Sequence, residues 1–366
     1  MRLNIPLTGP EEAEAVRAVL ESGFLTQGPR AAEFEAAISS VTSTRYACAV
    51  SSATTGLHLS LVALGVEPGD EVIMPAFSFP ATANAVAQQG AVPVFVDILP
   101  DTFNIDPALI EDAITSKTKA IMPVHAFGLV ADMDPINRVA SKYNLDVIED
   151  AACALAGTYH GKPAGSLGTA GVFSFHPRKI ITTGEGGMIT TNDPDMAQRL
   201  SVLRAHGAVR GELFMEFIDE GFNYRMSDVH AAIGLAQFPK LDMIVSRRRH
   251  LAEELSTLLA DIDGVTCPIT PDGLEHTFQS YVVRLDAAVD RDLVIRRMRT
   301  LDVETTLGTY GMHLQPAYVQ RFGDLSGALP NATVAHRQAL TLPLYPQLTS
   351  SDLEQIVDAL RSSVSA

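Results

Sequence analysis

From residue 46 the chain repeats one pattern: a short apolar run rich in β-branched residues, a polar or glycine break, then a stretch with apolar residues at helical spacing. YACAV (46–50) reads as a strand and TTGLHLSLVALGV (54–66) as a helix. EVIMP, a helix near ATANAVAQQG, VPVFVD, a helix near PALIEDAIT (107–115), KAIMPVH, the helical DPINRVASKYN and LDVIED (145–150) continue the series. Alternation of this kind predicts an α/β protein with a mostly parallel sheet covered by helices on both faces. Ligands of such sheets sit at the carboxyl edge, where strands end and helices begin.

The flanks differ. Residues 9–22 (GPEEAEAVRAVLES) have helical spacing and stop at Gly23, and a second helix follows Pro29 through EFEAAISSV. After residue 160, AGVFSF and GGMITT read as strands joined by a long Gly/Thr loop, with helices over 194–205 and 227–239. SRRRHLAEELSTLLA predicts a connecting helix, and beyond about 263 the run SYVVRL and the helices RDLVIRRMR and SSDLEQIVDAL predict a smaller α+β unit. We therefore expect a large domain over 1–245 and a small C-terminal domain over 246–366.

Composition narrows the function. Of 366 residues, 46% are hydrophobic and 19% charged, as in a packed globular protein. A net charge of −16 argues against a nucleic-acid partner, because phosphate backbones select basic surfaces. Cys48, Cys153 and Cys267 are scattered, without the pairing of a disulfide framework or zinc site. His176, His206 and His230 lack metal-ligand spacing, so no metal is expected. The start turns acidic before an apolar leader core can form, and no window holds the roughly 18 apolar residues of a membrane helix. These features fit a cytoplasmic protein with small-molecule substrates and no membrane association.

The candidate chemistry centres on Lys179, in FSFHPRKIITTGEGGM (173–188), a cation between a strand-like run and a glycine-rich loop. Asp150 ends LDVIED at the carboxyl edge of a predicted central strand. Either residue alone fits a solvated face, a turn or a helix cap. Together they suggest pyridoxal 5'-phosphate: its aldehyde needs an amine, and its ring nitrogen needs a carboxylate to remain protonated. VSSATTGLHLSL (50–61) opens a helix with small hydroxylated residues and could hold the phosphate through the N–H groups of Ala53 and Thr54 and the Thr54 hydroxyl. Simple capping explains that stretch equally when it is taken alone. Ser174 is a further candidate phosphate contact, and Phe79 could stack on a flat ring or serve as core. Arg30, Arg204 and Arg225 are candidates for anion contacts or for ordinary ion pairs.

GFLTQGP (23–29), SSATTGLHLSL (51–61), EDAA (149–152), FSFHPRKIITTGEGG (173–187), RAHG (204–207), GFNYRMSDVHAAIGLAQ (221–237), HLQPAY (313–318) and LTLPLYP (340–346) together resemble the DegT/StrS family of nucleotide-sugar aminotransferases, fold type I enzymes of pyridoxal phosphate. The resemblance implies Lys179 as the Schiff-base lysine and Asp150 as the ring-nitrogen partner. It also implies Phe79 as the stacking residue, and Ala53, Thr54 and Ser174 as phosphate ligands. Asn223 would reach the phosphate of the neighbouring subunit, so that a homodimer shares its active sites. Glu185, Arg225, Tyr310 and His313 would meet the substrate. Two departures stand out. Cys153 replaces the Gln or His usual near the cofactor's hydroxyl, and LGTYGM (307–312) replaces a His-Tyr-Pro-like segment. The implied reaction moves an amino group from glutamate or glutamine to a keto sugar, nucleotide-linked in most of the family. A keto-cyclitol or other cyclic ketone as acceptor, or a cofactor-binding regulatory protein without turnover, are the alternatives.

Overall fold

The computed structural model describes residues 1–26 and 28–364, so Gln27 of the GFLTQGP motif lies outside the described residues. Two helices, α1 (Pro10–Ser22) and α2 (Pro29–Val41), precede the sheet. The first begins with Pro10 behind Gly9, whose N–H is held by the Glu12 carboxylate at 2.6 Å, and ends at Gly23 with φ 75°. Both pack on α7 (Asp228–Gln237), where Gly234 lets the Phe34 ring come within the space a Cβ would fill.

The large sheet has seven strands: β1 (Tyr46–Val50), β2 (Glu71–Pro75), β3 (Val92–Val96), β4 (Thr118–Ile121), β5 (Asp146–Asp150), β6 (Ala170–Ser174) and β7 (Gly187–Thr191). Their order is β1-β7-β6-β5-β4-β2-β3, and every pairing is parallel except the two made by β7. The helices α3 (Ala53–Ala63), α4 (Ala81–Gln88), α5 (Met133–Tyr143) and α6 (Pro194–Leu203) cover it, which explains strands buried on both faces and continuous apolar runs rather than alternation. The fold is thus the expected α/β class with a large, mostly parallel sheet. The predicted helix over 107–115 is instead two 3₁₀ turns, Pro107–Leu109 and Glu111–Ala113. Bonds such as Ala113 N–H to the Ile110 carbonyl, 3.1 Å, tighten the segment while Ile110 plugs the core.

Reversal of β7 has a local consequence. The segment between β6 and β7 becomes a hairpin loop whose tip stands at the carboxyl edge, and Lys179 lies in it. Register aligns Val50, Gly187 and Ser174 in one row across β1, β7 and β6.

Beyond α7, the helix α8 (Leu241–Leu259) changes company along its length. Leu241, Ile244 and Val245 belong to the core beneath the large sheet, whereas Leu251, Leu255 and Leu259 belong to a C-terminal core. That second core packs on a four-stranded antiparallel sheet in the order Val265–Thr266, Tyr281–Leu285, Ala339–Leu342, Thr306–Leu307. Met1 and Ile5 also pack there, and the Glu304 N–H donates to the Met1 carbonyl at 3.0 Å. Among the described residues no helix is long and apolar enough to cross a membrane.

One buried carboxylate fastens β5 to the 165–168 loop. Glu149, fully buried, accepts from the N–H groups of Gly165 (2.8 Å), Leu167 (2.7 Å) and Gly168 (2.7 Å), and from His125 Nε2 (2.9 Å). His125 Nδ1 accepts from the Ala131 N–H, so its proton sits on Nε2, facing the carboxylate. Glu149→Ala would strand four donors, two of them fully buried, and we expect a loss of about 3–5 kcal/mol in stability by chemical denaturation.

Candidate active site

The loop after β6 is pinned by its own backbone and threonines. Phe175 N–H donates to the Gly186 carbonyl (2.9 Å), Thr183 N–H to the Phe175 carbonyl (3.0 Å) and Thr182 Oγ1 to the same oxygen (2.9 Å). Ile180 and Ile181 are buried, and Gly184 turns the chain with φ 83°. Lys179 is thereby held half-buried, with its N–H on the His176 carbonyl and its Nζ donating to Cys153 Sγ at 3.1 Å.

Asp150 faces this amine from the end of β5. Strand alternation turns Glu149 to one side and Asp150 to the other, although they are neighbours in sequence. Asp150 is 5% exposed; its Oδ2 accepts from Thr82 Oγ1 at 2.7 Å and its Oδ1 from the Ala152 N–H at 3.3 Å. Burial pushes its pKa above the usual carboxylate range, while those two bonds and the charge of Lys179 act in the opposite direction. A carboxylate so poorly solvated fits a ring N–H that carries positive charge.

The start of α3 lies beside them. Ser52 is its N-cap: Ser52 Oγ accepts from the Thr55 N–H at 3.2 Å and the Ser52 carbonyl from Gly56 N–H at 3.0 Å. Ala53 and Thr54, in the first turn, have no intrahelical acceptor for their N–H groups, which leaves the cradle a phosphate needs. Gly187 makes room for it, because a Cβ there would stand 2.6 Å from the Ala53 nitrogen. Ser174 occupies the same row of the sheet, and among the described residues its Oγ is engaged only by a long 3.4 Å bond from the His176 N–H.

Phe79 and Tyr310 come together, with ring centroids 6.3 Å apart, because Phe77–Ser78 pairs with Tyr310–Gly311. Phe79 is 65% exposed, and Glu185 is exposed on the Lys179 loop. Asn223, also exposed, and Arg225 project from a segment running along the outer edge of β1, tied there by Ser51 N–H to the Tyr224 carbonyl at 2.7 Å. Arg225 Nε is buried without a hydrogen-bond partner among the described residues.

Three of the candidate residues have partners within the protein. His313 is only 1% exposed and its Nε2 bonds Thr333 Oγ1 at 2.9 Å. Arg204 is consumed by Glu35 and by the Ala49 carbonyl, closing the edge of β1. Arg30 pairs with Glu33 at 2.7 Å. Sequence reasoning also missed Thr82 and Thr277, whose hydroxyls hold Asp150 and the Cys153 carbonyl (3.2 Å). It missed Asp228 as well, which caps the Gly28 and Arg30 N–H groups and docks the GFLTQGP loop. Asp228 stood in a quoted family motif and Thr82 in the helical stretch ATANAVAQQG, but neither threonine carries a local signal of its role.

A lysine and a buried carboxylate at the carboxyl edge of such a sheet define a fold type I pyridoxal phosphate aminotransferase. Residues 6–361 match the DegT/DnrJ/EryC1/StrS aminotransferase family, and the chain belongs to it. GDP-perosamine synthase of Caulobacter vibrioides is 44% identical over 331 residues, covering 90% of this chain and 88% of that protein. The spore coat polysaccharide biosynthesis protein SpsC of Bacillus subtilis is 38% identical over 374 residues, covering 99% and 96%. The solved structure of the putative sugar aminotransferase Spr1654 from Streptococcus pneumoniae, in its PMP form, superposes with a TM-score of 0.95 at 29% identity, covering 100% and 98%.

Asp150→Asn removes a buried carboxylate whose folded pKa is raised, so the charged form costs stability above that pKa. The cofactor-free variant should equal the parent in stability below about pH 4 and exceed it increasingly as pH rises through the folded pKa of Asp150, read by thermal denaturation across pH. Gly187→Ala should displace the Ser52–Ala53 peptide and weaken retention of pyridoxal phosphate about tenfold or more, read by spectrophotometric titration.

Proposed function

We propose that this enzyme transfers an amino group from glutamate or glutamine to a keto sugar carried on a nucleotide. The observation that bears most weight is the Lys179 amine set beside the buried Asp150 carboxylate at the mouth of the α3 cradle. Bound there, pyridoxal phosphate supplies an electron-withdrawing ring that lets a proton leave and return at the carbon bearing the amine.

The chain supplies the rest. Lys179 would hold the cofactor covalently and, when released by a donor amine, carry the proton on its Nζ. Asp150 would keep the ring nitrogen protonated, with Thr82 holding the carboxylate in place. Ala53, Thr54 and Ser174 would bind the phosphate, Phe79 would lie on the ring, and Cys153 would steady the Lys179 amine. Glu185, Arg225 and Tyr310 would face the acceptor. The names of GDP-perosamine synthase and SpsC support a nucleotide-linked sugar and a role in polysaccharide assembly.

We further propose a cytoplasmic homodimer in which Asn223 completes the partner's phosphate site. Its support is an apolar surface that a solitary chain would leave wet: Leu213, Phe214, Phe217 and Ile218, on and beside the hairpin Ala208–Arg210/Met215–Phe217, are 79%, 80%, 70% and 62% exposed. The division near residue 245 into cofactor-binding and small domains is supported by the change of core along α8.

Lys179→Ala should remove the visible absorbance of the bound cofactor and lower turnover by roughly 10⁴-fold; transamination retained in this variant contradicts the assignment. The acceptor is tested by adding nucleotide-linked keto sugars and keto-cyclitols to the pyridoxamine form and watching the colour return. Return with keto-cyclitols alone overturns the sugar reading. Sedimentation should give twice the 39.2 kDa chain mass, and Phe214→Ser should shift it toward the monomer.

A further inference from the structure

The Lys179 amine meets Cys153 Sγ at 3.1 Å, and one short segment of the C-terminal unit reaches both of these residues. Residues 276–280 lead into the strand Tyr281–Leu285 of the C-terminal sheet. Thr277, fully buried, donates from Oγ1 to the Cys153 carbonyl at 3.2 Å, with the Gly128 carbonyl further off at 3.4 Å. Two residues on, Gln279 Nε2 donates at 2.9 Å to the Arg178 carbonyl, in the peptide that joins Arg178 to Lys179. One bond thus holds the residue that carries the thiol, and the other holds the backbone that carries the amine.

The segment is fixed from several sides. Phe278, between the two donors, takes φ 48°, a left-handed conformation that bulky residues seldom adopt. Its N–H donates to His276 Nδ1 at 2.9 Å, and the two rings stack with centroids 4.0 Å apart. Burial pulls the His276 pKa down to about 3, so the ring is neutral and Nδ1 remains an acceptor at neutral pH. Arg248, itself buried, donates to the carbonyls of Phe278 (3.1 Å) and Gln279 (3.2 Å). The Thr277 N–H donates to the Gly128 carbonyl at 3.1 Å and the Ser280 N–H to the Phe127 carbonyl at 3.3 Å. Gly128 has φ 104°, and a Cβ there would lie 2.1 Å from Thr277 Oγ1, so this glycine leaves the room the hydroxyl fills. A strained residue persists where its surroundings over-determine it, as they do here.

We propose that Thr277 and Gln279 are positioning residues for Lys179, Thr277 acting through Cys153 and Gln279 through the Arg178 peptide. The inference rests on the proposed role of Lys179 as the residue that holds pyridoxal phosphate. A lysine amine rides on a flexible four-carbon stem, and a reacting group misplaced by about 1 Å can lose on the order of 100-fold in rate. Holding the backbone at one end of the side chain and the atom its amine meets at the other restricts that freedom. The same two bonds tie the lysine to the C-terminal sheet, because both donors stand just before the strand Tyr281–Leu285.

The test follows the visible band that forms when pyridoxal phosphate is mixed with the cofactor-free protein. Thr277→Val keeps the shape of the side chain and removes its donor, so capture of the cofactor should slow about 3- to 10-fold, and Thr277→Ser should restore the parent rate. Gln279→Leu should slow capture by a similar factor. In a Cys153→Ala background, Thr277→Val should change the rate less than about twofold, because its route to the amine is gone, whereas Gln279→Leu should keep its effect. Thermal denaturation of each variant reads lost packing separately, and a role in packing alone would lower the melting temperature without this pattern of rates. A capture rate unchanged in Thr277→Val or in Gln279→Leu overturns the role of that residue. Slow capture in Thr277→Ser, or full slowing by Thr277→Val in the Cys153→Ala background, overturns the route through the thiol. A parent protein that forms no band at all would instead sink the assignment of Lys179, and this proposal with it.

Discussion

Everything at the candidate site depends on the antiparallel strand β7 and the glycine at its head. Because Gly187 pairs with Val50 on one side and Ser174 on the other, the ends of β1 and β6 and the start of β7 meet in one row. The helix start after Val50, the loop carrying Lys179 and Ser174 are thereby delivered to one place. Only a residue without a Cβ allows the Ser52–Ala53 peptide to lie as close as it does. Parallel strands alone would send the segment after β6 across the face of the sheet as a crossover, carrying the lysine away from the edge.

Electrostatics set the second constraint. Asp150 is buried where its charge is poorly solvated, and the Thr82 and Ala152 bonds and the Lys179 charge offset that penalty only in part, so a cationic partner would relieve it further. This is the stability a functional site gives up, and it is confined by rigid neighbours: Glu149 on the opposite face ties the strand to His125 and the 165–168 loop. The site is open on its remaining side, with Phe79, Glu185 and Asn223 exposed, where the proposed second copy would stand.

Much of this was legible in the sequence, for identifiable reasons. Parallel strands buried on both faces leave continuous β-branched runs, so β1 to β7 stood out; their direction did not, since periodicity carries no sign and the reversal of β7 was invisible. Lys179 and Asp150 stood out as candidates because each lies next to a strand-like run within a dense motif. The contact of His313 with Thr333 was not legible, because a histidine in HLQPAY looks the same in sequence whatever it faces. Thr82, Thr277 and Glu149 act through contacts far apart in the chain, which no local pattern encodes. The 107–113 segment had helical composition but too little apolar surface to hold a continuous helix.

The central claim, that the Lys179 amine is the group that anchors pyridoxal phosphate, is tested most directly by borohydride reduction of the loaded enzyme, then proteolysis and mass spectrometry. The account predicts a phosphopyridoxyl adduct on the peptide containing Lys179 and on no other lysine. An adduct on a different lysine, or none after saturation with the cofactor, would contradict it.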